Sequence, residues 1–386
     1  MSGFVAVHVG AGYHRENLRP KYKKTCKTAC YEATEMLQDG CNAVEAVTRA
    51  ISVLEDCPLT NAGIGSNLTD SGTVECDASL MDGASFNFGS VGALSNIKNP
   101  IQVAKAVLEQ QNKGLLSLGR IPPCTIVGKK ALDWALQRKF NYADNKELVS
   151  KGAKDAYTKC LFQQMSASSS RKLNSSPDIK KPMLLDTVGA ICVDSFGNVS
   201  SAVSSGGLLF KVPGRIGQSS IYGSGCWAQN SAESYRPSVA CTVSGTGEYI
   251  IKTLFAKECY RKLYQEHDCI SALPDLIKEQ FLNSPYLKNV ESKHKLIGVL
   301  SLKHYVADNF CEVAWAHNTP SMVLGYESTR KRKPIAIVSE QLVNKSTQDK
   351  ECIMASENVN NNRNLKQINE ECIVASEKLI KLNSGS

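Results

Sequence analysis

No run of apolar residues in this 386-residue chain reaches the roughly 18–20 positions that a membrane-spanning helix needs. A helical membrane protein is therefore excluded. The first residues, Met1 to His8, lack the charged and long apolar regions of a secretory leader, so none is expected. Aromatic residues make up only 7 % of the chain. Its basic residues are spread out, and no helical stretch interleaves them with aromatics. The net charge of +8 therefore does not lead to an expectation of direct nucleic-acid binding. Cys26 and Cys30 have no second Cys/His pair to complete a zinc site and read as core packing on a helix. Val9-Gly10-Ala11-Gly12 lacks the Gly-Lys-Ser/Thr ending of a phosphate loop and the full spacing of a dinucleotide fingerprint. No metal or organic cofactor is expected.

What the chain does have is enough apolar residues, 42 %, to bury a large core. Its 15 cysteines, an odd number scattered through a large chain, fit reduced thiols in cytosol or nucleus better than a disulfide framework. Triplets such as Asn67-Leu68-Thr69 then carry no meaning as glycosylation sites. Phe4 to His8 reads as a buried strand. Cys26, Ala29, Cys30, Ala33 and Leu37 follow helical spacing, as do Ala43, Val44, Val47, Ile51 and Leu54. Strands are expected around 74–81 and 86–94, and helices from Asn99-Pro100 and over 129–139. In the second half, Val188 to Val193 and Val199 to Ser204 form a hairpin around Asp194 to Asn198. A helix follows Gly247-Glu248 with Ile251, Leu254, Phe255 and Cys259 inward. Another helix runs over about 272–281, and strands recur at 296–302, 311–317, 321–326 and 335–338. This mixed order suits two sheets with helices outside, an α+β fold, better than a doubly wound parallel sheet.

Two stretches differ in character. Residues 141–183 are rich in Lys, Ser, Asn and Gln and bury too little to offset their ordering entropy, so a long mobile loop with at most local helix is expected. A linker of about 40 residues inside a compact domain is unusual and often functional. Beyond residue 340 a polar tail carries a near-repeat, Glu351 to Glu357 and Glu371 to Glu377, read as disordered or weakly helical.

The polar loop ends in Leu184-Leu185-Asp186-Thr187, and Thr187 opens an apolar β-type run. An internal threonine hydroxyl is a poor nucleophile. A threonine at a chain start differs, because its own α-amine can take the proton. With a reference pKa of about 7.7–8.0, a useful fraction of that amine is neutral at physiological pH. Self-cleavage at Asp186–Thr187 would thus create the nucleophile and its base together.

The residues that follow carry a family resemblance. Asp186 to Ala190, Ser204-Ser205-Gly206-Gly207, Pro213-Gly214-Arg215-Ile216-Gly217, Tyr222 to Ala228 and Ser244-Gly245-Thr246-Gly247-Glu248 resemble the small subunit of the type-2 L-asparaginases, which are N-terminal-nucleophile hydrolases. His8 to Gly12, Asn61 to Gly65 and Met81-Asp82-Gly83 resemble the large subunit. The resemblance spans about residues 4–340. It implies a four-layer αββα sandwich, cut into a large subunit (1–186, including the loop) and a small catalytic subunit (187–340) that stay associated, followed by a tail (341–386). It also implies a dimer of such units. Thr187 is then the nucleophile and Ser205 the hydroxyl beside it. Ser244 and Gly245 match the oxyanion-hole positions, and Arg215, Gln218 and Gly247 bind substrate. Gly10, Gly12 and Asn61 belong to loops near the site.

Two departures bear on substrate. Where small-molecule asparaginases carry an Asp that binds the α-ammonium of asparagine, this chain has Gln218. A neutral Gln suits a peptide N–H without leaving a buried unpaired charge. Before the nucleophile, asparaginases commonly have Gly, and this chain has Asp186. Both features resemble the threonine-aspartase (taspase) branch, endopeptidases that cut protein chains after Asp. That likeness implies Asp-Gly sites in nuclear transcription regulators, such as trithorax-type histone methyltransferases and the large subunit of transcription factor IIA. It also implies a nuclear and cytoplasmic location. The alternative is a small-molecule L-asparaginase or isoaspartyl peptidase. Arg330-Lys331-Arg332-Lys333 reads as a solvated charged turn or a nuclear signal.

Overall fold

The computed structural model describes residues 2–169, 187–266, 268–308, 310–343, 352–353 and 374–381. Strand β1 (Phe4–Gly12) is buried at all nine positions, as expected of a strand covered on both faces. Alternate side chains enter different cores. Phe4 and Ala6 join one apolar cluster, and Val5, Val7 and Val9 join another, the period of two that a pleated strand imposes.

Helices α1 (Arg19–Gln38) and α2 (Ala43–Glu55) follow. A reciprocal cap starts α2: the Glu45 N–H donates to Asn42 Oδ1 at 3.0 Å, and the Asn42 N–H to Glu45 Oε2 at 3.2 Å, satisfying two otherwise orphaned donors. Next come β2 (Cys76–Asp82), β3 (Phe88–Leu94), α3 (Pro100–Asn112), β4 (Thr125–Val127), α4 (Gly128–Gln137), α5 (Asn145–Leu148) and α6 (Lys151–Ser169). The second half supplies β5 (Val188–Val193), β6 (Val199–Ser205), β7 (Cys226–Gln229), β8 (Ser238–Gly245), α7 (Gly247–Thr253), α8 (Phe255–Gln265) and α9 (Cys269–Leu276). The chain continues through β9 (Ile297–Tyr305), β10 (Phe310–His317), β11 (Ser321–Ser328), β12 (Lys331–Glu340), β13 (Leu342–Val343), β14 (Cys352–Ile353) and β15 (Val374–Lys381).

One sheet has the order β12-β11-β1-β5-β6-β2-β3-β4, the other β15-β10-β9-β8-β7. Strands β1, β5 and β6 of the first sheet pack on β8 and β9 of the second. Helices α1 to α3 lie against the first sheet, and α8 and α9 against the second. The fold is thus mixed α and β, with two sheets and helices on them, as the order of elements predicts. The β5–β6 turn is set by Asp194, whose carboxylate accepts from the N–H groups of Phe196 (2.9 Å) and Asn198 (3.0 Å), a local bond typical of Asp in turns. Its other oxygen takes the Ala43 N–H at 3.1 Å, tying the hairpin to the start of α2.

Three expectations need correction. The stretch 141–183 is helical over 145–148 and 151–169. It is anchored where Leu148 and Ala153 join Leu68, Val74 and Cys76 and where the Tyr157 ring sits 5.6 Å from that of Phe210. Its few apolar residues suffice because they are concentrated on one contact. The remainder, 170–183, lies outside the described residues. The single helix expected after Gly247 is broken at Leu254, which adopts φ 48° and turns outward so that Phe255 can be fully buried. In the tail, β15 runs antiparallel along β10, from Phe310 opposite Lys381 to His317 opposite Val374. The second copy of the near-repeat therefore contributes to an edge strand, while the first gives the short pair β13–β14. Strands β7 and β8 carry no expectation from the sequence, because their Ser and Cys content masks an all-buried strand such as β8.

Among the described residues, no helix is long and apolar enough to cross a membrane, and no group of three His, Cys, Asp or Glu could hold a metal ion. Leu80 is fully buried on β2 between the sheet and its helices. Leu80→Ala is expected to lower unfolding free energy by about 2–5 kcal/mol, read by urea denaturation. A loss under about 1 kcal/mol would mean that this core is not closely packed.

Candidate active site

Thr187 stands immediately before β5. Val188 pairs with Ser204, so Thr187 and Ser205 emerge at the same end of the hairpin. Both are buried, each 3 % exposed. The Thr187 hydroxyl donates to Ser205 Oγ at 3.1 Å, and the Gly207 N–H donates to the same oxygen at 3.0 Å. Gln218 Nε2 donates to Thr187 Oγ at 3.1 Å. A hydroxyl oxygen has two acceptor lone pairs. One of them is taken by Gln218.

The walls are built from backbone as much as from side chains. Asn61 Nδ2 donates to the Gly207 carbonyl at 2.8 Å, and the Gly206 N–H donates to the Asn61 carbonyl at 2.8 Å. A Cβ on Gly206 would lie 2.5 Å from Ser66 Cβ and 2.6 Å from Asn61 Oδ1, so this close approach requires glycine. Asp77, fully buried behind the site, accepts the N–H of Gly217 at 2.7 Å and that of Ala93 at 2.8 Å. These bonds fix the backbone from which Gln218 projects. Burial pushes the Asp77 carboxyl upward despite its basic neighbours. Arg215 forms an ion pair with Glu248, which lies in the first turn of α7.

Thr187, Ser205, Arg215, Gln218, Gly245, Gly247 and Asn61, seven of the residues singled out from the sequence, line one cavity. Gly207, Leu208 and Gly217 complete the lining. The two glycines lie inside the quoted motifs, but nothing in the sequence marks Leu208, an apolar residue in a loop. Ser244 does not line the cavity. Its Oγ accepts the Ala11 N–H at 3.1 Å, so it braces the β1 end against β8. Gly10 and Gly12 do not line it either. They fall within β1, which continues past His8 through a register shift against β11, rather than in a loop. Asp186 lies outside the described residues.

One further acid lies just behind. Ser204 Oγ donates to Glu55 Oε1 at 2.7 Å, and the Ile101 N–H to the same oxygen at 3.1 Å. Burial raises the Glu55 carboxyl to about 8.

A family model described as "Asparaginase" matches residues 1–337. The chain belongs to the type-2 asparaginase family. Family members are hydrolases of the N-terminal-nucleophile superfamily. Its relatives include an isoaspartyl peptidase of Salmonella typhimurium, 34 % identical over 65 % of this chain and 76 % of that one. An isoaspartyl peptidase/L-asparaginase of Xenopus laevis is 34 % identical over 67 % and 74 %. The Homo sapiens protein of the same name is 32 % identical over 67 % and 75 %.

A pH dependence follows from Glu55. Its folded value of about 8 exceeds the ordinary 4.5, so the unfolded chain releases this proton first. The stability contribution of Glu55 is fully present below about pH 4.5 and is lost as pH rises to about 8. Glu55→Gln should therefore gain stability relative to the parent as pH rises through that window, measured by denaturation at several pH values. A constant difference between the two proteins would refute a raised Glu55.

Proposed function

We propose that the chain is a precursor that cuts its own Asp186–Thr187 bond, and that the processed protein is a threonine-type endopeptidase cleaving protein chains after Asp, on a four-layer αββα scaffold. In self-cleavage Thr187 Oγ attacks the Asp186 carbonyl carbon, the C–N bond breaks to leave an ester, and water hydrolyses that ester. The freed α-amine then takes the hydroxyl proton when Thr187 attacks a substrate amide. The family likeness assigns the developing oxyanion to the Gly245 N–H, which lines the cavity; the Ser244 hydroxyl, matched to the same role, sits outside that lining and accepts the Ala11 N–H.

The charge of the cavity carries the substrate assignment. Among the described residues of its lining, Arg215 is the one charged side chain, and Glu248, which pairs with it, is not part of that lining. A substrate carboxylate has a guanidinium to bind, but a free α-ammonium finds no carboxylate among the described lining residues. The Gln218 carbonyl suits a neutral peptide N–H instead. An Asp side chain within a protein chain meets both conditions. The two fragments stay together on this reading, because β1 and β2 of the first are paired with β5, β11 and β6 of the second.

A second reading is supported by the relatives, whose names are isoaspartyl peptidase and L-asparaginase. On it the processed protein hydrolyses isoaspartyl peptides or asparagine. The comparisons favour this reading over the first, and the cavity's charge favours the first over it.

Mass and N-terminal sequence of purified parent and Thr187→Ala decide the processing step. A fragment beginning at Thr187 is expected in the parent alone, and an uncut parent would sink the mechanism. Processed protein is then offered an Asp-Gly peptide, an isoaspartyl peptide and free asparagine. Cleavage of the first is expected, and turnover confined to the other two establishes the second reading. Gln218→Asp should weaken Asp-Gly cleavage by about tenfold or more, since a buried carboxylate replaces a neutral group. An unchanged rate removes Gln218 from the substrate argument.

A further inference from the structure

Strand β2 runs beside β6 with Asp77 directly opposite Ser205. Opposite residues of such a pair share a face of the sheet, so Asp77 stands next to Ser205 in the row that leads to Thr187. On its other side β2 is irregular at this one residue. Cys76 lies opposite Leu94 and Ala78 opposite Val91, so Gly92 and Ala93 together face Asp77, a bulge. Ala93 takes φ 47° there, a left-handed conformation that is costly for a residue with a Cβ. Such strain persists only where the surroundings over-determine it, and it gathers at functional sites. What this bulge provides is a turned N–H, which donates to Asp77 Oδ1 at 2.8 Å.

The other oxygen, Asp77 Oδ2, accepts the Gly217 N–H at 2.7 Å. The next residue, Gln218, is held at its far end by the site itself. Its Nε2 donates to Thr187 Oγ at 3.1 Å. Its Oε1 points at Gly247, where a Cβ would lie 2.5 Å from it. Asp77 is fully buried and does not line the cavity. From this geometry we propose that Asp77 is a positioning residue: its carboxylate, braced by the strained Ala93 bulge, holds Gly217 and so sets the Gln218 amide between Thr187 and Gly247. It touches neither the nucleophile nor the substrate and acts only through Gln218. The proposal rests on the assignment of Thr187 as nucleophile.

Asp77→Asn in the full chain keeps the size of the side chain but leaves one accepting oxygen in place of two, so its NH2 group must face a backbone N–H. The first-order rate of self-cleavage, followed by intact mass, should fall on the order of tenfold or more. In a Gln218→Ala background the same substitution should change the rate by less than about twofold, because the two residues act as one unit. An unchanged rate in folded Asp77→Asn, or an equal loss in both backgrounds, overturns the proposal. Amide hydrogen exchange in the Thr187→Ala precursor, with and without Asp77→Asn, gives a second reading that needs no cleavage. Exchange at Gly217 should quicken by about tenfold or more while Gly189, within the sheet, keeps its rate. No change at Gly217, or equal quickening at both glycines, overturns the proposal. If the unsubstituted chain does not cut itself, the nucleophile assignment fails, while the exchange still decides whether Asp77 holds Gly217.

Discussion

The pairing of Val188 with Ser204 is the constraint on which the candidate site depends. It places two hydroxyl residues, each one step beyond the paired ladder, at the same end of one hairpin. Side chains alternate faces along a strand, so a slip of one residue would send Thr187 to the opposite face. The register is held by burial on both sides of β5 and by the Asp194 turn at the far end. Thr187 is therefore positioned by a rigid sheet rather than by a loop, even though the sequence before it is polar.

Charge is kept at a distance from that hydroxyl. Its direct neighbours are a serine hydroxyl and a primary amide. The two buried acids behind the site, Asp77 and Glu55, each accept backbone N–H groups. They hold Gly217 and Ile101 and present nothing to the cavity. Arg215, at the wall, is neutralised by Glu248. A ligand carboxylate entering there must share or displace that partner, so binding at this wall is an exchange of ion pairs and not a simple gain of one.

Much of this was legible in the chain. Strands β1 and β5 of the central sheet show in short continuous apolar runs, and the helices α1 to α3 in apolar positions three and four apart. Thr187, Ser205, Arg215, Gln218 and Gly245 follow from ordered motifs, and they converge on one cavity. What was not legible depends on contacts between distant segments. The sequence marks 151–169 as polar, and only the Tyr157–Phe210 contact shows what it rests on. The break at Leu254 comes from the need to bury Phe255, not from a Gly or Pro. The Arg215–Glu248 pair joins residues 33 positions apart that no local pattern relates. Ser244 matches a catalytic position in its motif, yet its bond to Ala11 shows that it also joins the two sheets.

Strand β1 lies between β11 and β5, the first from residues 4–12 and its neighbours from residues 321–328 and 188–193. A break before Thr187 would leave every one of these hydrogen bonds intact. It would also turn folding from a one-molecule event into an encounter between two chains, neither of which holds a complete central sheet. An uncut chain would refold as a single molecule, at a rate independent of dilution. A cut molecule, once its two chains separate, would recover at a rate that depends on concentration, so its persistence would be set by how slowly it comes apart.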